Sequence, residues 1–233
     1  ATAQGVITLT VADTEVSVAA AAEDSAETLA TALAAAVNAE RELPVTAQAA
    51  TGTVTLAAKN KGTLGNGIVL AYSNTVPGIT PTLTAMTGGQ KDPDIVEALT
   101  AVFAADYTIY CVPWAVQAPL AALREHLDNV GGPLEQRGAI GVYASTGTLS
   151  AATTLAGQLN AGRITGALLP GSTTPPEQIA AAYAAVLASE EDPARPLNTL
   201  SLSGVTVPPV ASRFGRTEQE VCLKNGVTPL EAG

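Results

Sequence analysis

The first half of the chain alternates apolar and polar residues with a period of two. Val6-Ile7-Thr8-Leu9-Thr10-Val11 sets large aliphatic side chains against Thr, the signature of a half-buried strand. Asp13-Thr14 is the expected turn into a second run, Glu15-Val16-Ser17-Val18. A helical period follows, with Ala26, Leu29, Ala30, Leu33 and Val37 on one face. Asp24 is its expected cap, with Glu27 three residues on as in a capping box. Val45-Thr46-Ala47 and Val54-Thr55-Leu56 flank Thr51-Gly52, a hairpin pattern. A glycine-rich loop, Lys59 to Gly67, then leads to Ile68-Val69-Leu70-Ala71-Tyr72. Residues 1–88 are therefore expected to form a small β-rich α+β domain.

From Asp92 the period lengthens. Asp92-Pro93 reads as a helix start, with Ile95, Val96, Leu99, Val102 and Phe103 on one face. The unbroken apolar run Tyr107 to Val112 predicts a strand buried on both faces. Helices are expected near Pro119 (Leu120, Leu123, Leu127 and Val130 inward), from Ser150 (Leu155, Leu159), and from Thr174-Pro175-Pro176-Glu177 (Ile179, Tyr183, Val186, Leu187). Strands fall between them at Ala139 to Tyr143 and Ile164 to Leu169. Such alternation implies a mostly parallel α/β sheet with right-handed crossovers over residues 89–203. Beyond Asp192-Pro193 the pattern predicts a strand within Leu200 to Val207 and a short helix capped by Thr217 and Glu220 that stops at Asn225-Gly226. Val227-Thr228-Pro229-Leu230 then reads as the start of a new segment, and residues 204–233 as an extension.

Composition narrows the function. Of 233 residues, 47% are apolar, 3% aromatic and 14% charged, the last against about 25% in typical domains. The net charge is -10 with 11 basic residues, a poor fit to a phosphate-tracking nucleic-acid surface. No run has membrane-spanning length and quality, so neither nucleic acid nor membrane is an expected partner. Two cysteines, Cys111 and Cys222, make no disulfide framework. The chain starts at Ala1 with no signal-peptide pattern.

Ligands of open parallel sheets sit beyond the carboxyl ends of the strands, so the loops there are the first place to search. They are Pro113 to Gln117, Ala144 to Thr148 and Pro170 to Thr174. None contains Asp, Glu, His, Lys or Arg, whereas acid–base or metal chemistry needs such groups. His126, the only histidine, lies beside Arg124 and Glu125 and is expected on the polar side of its helix. Cys111 and Cys222 read as inert packed residues. Gly62-Thr63-Leu64-Gly65-Asn66-Gly67 precedes a strand and so lacks the helix N-terminus of a phosphate cradle. Glu190-Glu191-Asp192 lacks the alternating spacing of a Ca²⁺ loop and reads as a solvated turn. Trp114 suits either core packing or an interface. No catalytic, cofactor-binding or metal residue, and no cofactor, is assigned.

Several strings in fixed order resemble another set of sequences: Val54 to Asn66; Gly88-Gly89 with Asp92-Pro93-Asp94-Ile95; Asp192 to Leu197; and Pro208-Pro209 with Arg213-Phe214, Glu218 to Leu223 and Gly226 to Leu230. Together they resemble the tail sheath proteins of Mu-like contractile phages over essentially the whole chain. The resemblance implies a structural subunit that stacks with its copies around a tail tube and shortens to drive the tube through the host envelope. It also implies a subtilisin-like α/β fold without catalytic residues. The implied partners are other sheath subunits, the tube protein, the baseplate and the tail terminator, in a virion assembled in bacterial cytoplasm. In that family segments precede the point matching Ala1 and follow the point matching Leu230. The chain is thus expected to be a truncated core without its assembly arms, monomeric by itself. A hydrolase on the same fold, or an adhesin or carbohydrate-binding module suggested by the Thr-rich strands, are the alternatives.

Overall fold

The computed structural model describes residues 1–190, 192 and 194–231, with Thr199 by its backbone alone. The chain divides into two compact units, Ala1–Asp92 and Pro93–Gly233.

In the first unit, β1 (Gly5–Val11) and β2 (Thr14–Ala20) pair antiparallel. Val11 faces Thr14 in the ladder, so the two-residue turn is Ala12-Asp13 rather than Asp13-Thr14. Ala12 takes the positive φ of 54° that such tight turns demand. Helix α1 (Ala26–Ala39) begins one residue later than expected: Ser25 is its cap, its hydroxyl accepting the Thr28 amide at 3.1 Å. Asp24 instead accepts the Ala21 amide. Strands β3 (Val45–Ala50) and β4 (Thr53–Ala58) form the expected hairpin. Thr51 and Gly52 both have positive φ, 45° and 77°, the requirement of a type I′ turn. After a 3-10 turn at Leu64–Gly67, β5 (Leu70–Asn74) pairs with the free side of β1. Leu9, Val11, Val16, Ala34, Val37, Leu43, Val45 and Ala47 fill the core between strands and helix. Asn38 ties α1 to β3, donating to the Ala47 carbonyl and accepting its amide.

The second unit opens with α2 (Val96–Ala101). Asp92 does not cap it; its carboxylate accepts the Thr63 amide and hydroxyl within the first unit. Then come β6 (Ile109–Cys111), α3 (Gln117–Val130), β7 (Ile140–Ser145), α4 (Leu149–Leu159), β8 (Ile164–Leu168), α5 (Pro176–Ser189), α6 (Arg216–Lys224) and β9 (Val227–Pro229). The four strands form one parallel sheet in the order β6-β7-β8-β9. Strand alternation divides the core. Val142, Ala144, Ala167 and Leu169 pack on Ile179, Ala180 and Tyr183 of α5. Tyr143 packs with Leu120, Leu123, Leu127 and Leu159 on the α3–α4 face. With helices on both faces, this is a three-layer α/β arrangement.

Four further expectations fail in the second unit. The Tyr107–Val112 strand shrinks to three residues at the sheet edge, and Tyr107 is 56% exposed. An edge strand has a neighbour on one side only, so an apolar run there is not buried twice. No strand forms within Leu200–Val207, where the described backbone has no ladder partner. Helix α6 is closed by Gly215 and Glu218, the Gly215 amide donating to the Glu218 carboxylate at 2.7 Å, not by Thr217 and Glu220. Val227-Thr228-Pro229 starts nothing new; it completes the sheet as an edge strand beside β8, where a Pro is tolerated.

Candidate functional site

The carboxyl edge of the parallel sheet is where this fold would hold a ligand. Here the hydroxyl-rich loops spend their side chains on their own backbone. After β7, Ser145 Oγ accepts the Gly147 amide at 3.1 Å and Thr148 Oγ1 caps α4 on the Ala151 amide at 3.3 Å. After β8, Gly171 turns the chain at φ 69°, and Ser172 and Thr174 are both buried.

Those two residues hold a strap made by the chain itself, the irregular stretch 200–215. Ser172 Oγ donates to the Thr206 carbonyl at 3.3 Å, and Thr174 Oγ1 accepts the Thr206 amide at 2.9 Å. Ser212 stands so close to Gly171 that a Cβ there would meet its hydroxyl at 2.6 Å. Leu202 and Val205 pack into the α5 side of the core, and Phe214 against the cluster of Ala152, Leu168, Cys222 and Val227. The loop after β8 is thus covered by the chain itself. Sequence reasoning missed the strap because it has no period; Gly204 and Pro208-Pro209 were the signals that it forms no strand.

The individual candidates are scattered. His126, expected at the surface, is 6% exposed on α3, because that helix buries a second face under the segment that carries α2 and Phe103. Its ring meets the edges of Phe103 and Tyr110 at centroid distances of 5.9 and 5.0 Å, and its Nε2 has no partner. Desolvation, and then the charge of Arg137, hold its pKa below the ordinary value. Among the described residues no nucleophile or carboxylate hydrogen-bonds to it. Cys111, expected in the core, is exposed at the sheet edge, although partial burial still pushes its thiol pKa up. Cys222 is buried in α6, its thiol pushed up by burial and by Glu218. Trp114 is half-buried among the α3-side core residues, and its indole N–H is buried without a partner.

The Gly62–Gly67 loop forms a 3-10 turn. Of the acidic trio, Glu190 pairs with Arg195 at 3.0 Å and Asp192 accepts the Ala194 amide, while Glu191 lies outside the described residues. Among the described residues no three His, Cys, Asp or Glu side chains converge as a metal site. No described helix is long and apolar enough to cross a membrane.

Comparison with known proteins adds a second line. A family model described as the phage tail sheath protein central domain matches residues 88–232. The chain is 32% identical over 235 residues to the Mu-like prophage FluMu tail sheath protein of Haemophilus influenzae. That match covers 98% of this chain and 48% of the relative, so the chain spans about half the length of the curated relative it matches.

Proposed function

The chain belongs to the phage tail sheath family, and from that premise we propose that it is the core of a contractile sheath subunit. Copies of the whole protein stack around the tail tube, contact the tube protein, the baseplate and the tail terminator, and shorten together to drive the tube through the host envelope. Its place is the virion, after assembly in the bacterial cytoplasm. In this reading the second unit is a subtilisin-like scaffold whose catalytic edge has been given over to packing, and the stretch after residue 204 leads on towards a C-terminal domain. The role is structural rather than enzymatic.

The observation that carries the reading is the family match over the α/β unit. The strap supports it, since Thr206 occupies the hydrogen-bonding groups of Ser172 and Thr174 where a substrate would lie. The acidic, charge-poor composition suits a subunit that slides between two lattices through modest contacts.

The test is electron microscopy of the full-length protein. Striated tubes of two diameters, long-narrow and short-wide, are expected. A protein that stays dispersed across salt and crowding conditions overturns the reading. Labelling of the purified protein by a serine-hydrolase probe would overturn its non-enzymatic part.

A further inference from the structure

Charge in the first unit is uneven along the chain, although Glu42 and Asp92 stand among its cations. Residues 1–40 hold six acidic side chains and no Lys or Arg; all four cations, Arg41, Lys59, Lys61 and Lys91, come later. Lys61 lines an open groove of about 460 Å³ together with Asn60, Gly62, Asn66, Gly89 and Gln90 among others. Lys59 and Lys91 are chain neighbours of that lining, and the Lys59 ammonium donates to the Arg41 carbonyl at 2.9 Å.

The groove is built rather than loose. Asn66 clasps Gly89, donating to its carbonyl at 2.9 Å and accepting its amide at 2.8 Å. A Cβ on Gly89 would collide with the Gly62 carbonyl, so the two loops touch backbone to backbone. Asp92, the acid beside them, is committed to Thr63. The lining itself carries one cation, Lys61, and no carboxylate, with Asp92 beside it at Gly62. None of the three lysines makes an ion pair among the described residues.

The other end of the same unit is the complement. Glu23, Asp24 and Glu27 fall within five residues at the entry to α1, with Glu23 and Glu27 exposed. The Gly52 turn packs against Ala26, placing this corner at the turn end of the β3–β4 hairpin. Lys59 follows β4 at the far end, its amide bonded to the Pro44 carbonyl. Six extended residues separate the two ends, about 20 Å.

We propose that the lysine-bordered groove docks the Glu23–Glu27 corner of a second copy of this chain. Two different patches meeting head to tail make a heterologous contact, which propagates as an open stack instead of closing as a dimer. Opposite charges steer and register such a contact, and salt weakens it. The proposal rests on the sheath reading and names one of its subunit contacts.

The experiment uses the full-length protein as wild type, as the double variant Lys61→Glu with Lys91→Glu, and as the double variant Glu23→Lys with Glu27→Lys. All four positions are exposed, and a thermal melt checks that each variant folds. Assembly is followed by light scattering at low and high salt, with tubes scored by electron microscopy. Each variant alone is expected to assemble about tenfold more slowly at low salt. A one-to-one mixture is expected to recover the wild-type rate, because each reversed groove then meets a reversed corner. Variants that assemble like wild type, or a mixture that recovers nothing, overturn the contact while leaving the sheath reading intact. Slowing by the lysine pair only, reproduced on wild type by added phosphate, would mark a small-anion site and overturn it equally. Wild type that never forms tubes brings down the sheath reading and this contact with it.

Discussion

Tyr143 on β7 and Gly166 on β8 are register partners in the parallel sheet, and the tyrosine ring occupies the space where a side chain on residue 166 would stand. The two residues are one packing unit: the ring reaches the α3–α4 core only because its neighbour has no Cβ. Burial also pushes the Tyr143 phenol above its ordinary pKa, so the ring stays neutral at any working pH. Gly166→Ala is expected to destabilise the unit by about 1–3 kcal/mol through overpacking. Gly162→Ala, where a Cβ meets nothing within 4 Å, serves as the control and should change stability little. Urea unfolding of the two variants checks the difference.

His126 makes stability depend on pH in a definite direction. Its folded pKa is lowered from 6.5 by burial and then by Arg137, so the native state favours the neutral ring while the unfolded chain takes up the proton. Stability from this residue is thus complete above about pH 6.5 and falls as pH drops below it. His126→Leu should flatten the fall between pH 7 and pH 5. Melting temperatures of both proteins over that range decide it; parallel curves would contradict the assignment.

The strap over the sheet edge should loosen when its hydroxyl anchor goes. Thr174→Val keeps the shape of a buried side chain but leaves the Thr206 amide without its acceptor. The expected cost is about 1–3 kcal/mol. Because the strap holds no ladder bonds, the loss should appear first as faster hydrogen exchange and proteolysis within residues 200–214. Uniform loosening of the whole unit instead would mean that the anchor supports the sheet itself.

The two thiols should separate cleanly. Cys111 is exposed and Cys222 fully buried, and both thiols are pushed up in pKa. A disulfide reagent at pH 8 should modify one thiol per native chain, and two only in denaturant. Cys111→Ser should abolish the native reaction. The Cys111 rate should keep rising through pH 9, since the thiolate is the nucleophile.

Elements whose burial depends on local period were readable in advance. Leu120, Leu123, Leu127 and Val130 lie inward on α3 as their spacing predicts, and the Thr51-Gly52 turn sits where two alternating runs meet. The residue types of the loops after β6, β7 and β8 were readable too, because folding does not change them. Positions whose environment comes from distant chain were not. His126 looked polar beside Arg124 and Glu125 until the segment carrying Phe103 covered it; Cys111 looked buried until β6 took the edge. No local signal told that Thr206 would close over Ser172 and Thr174, more than thirty residues earlier in the chain.

What the amino-acid sequence determined by itself was a β-rich unit, a parallel α/β unit, a scarcity of titratable groups, and a family. The first three follow from residue type and short-range spacing; the family follows from the likeness of several strings in fixed order to those of known relatives. Tertiary structure alone decided which strand lies at the edge, which histidine face is covered, and that the strap closes over the loop after β8. Those depend on contacts between residues far apart in sequence, whose free energy is set by packing and not by any local pattern.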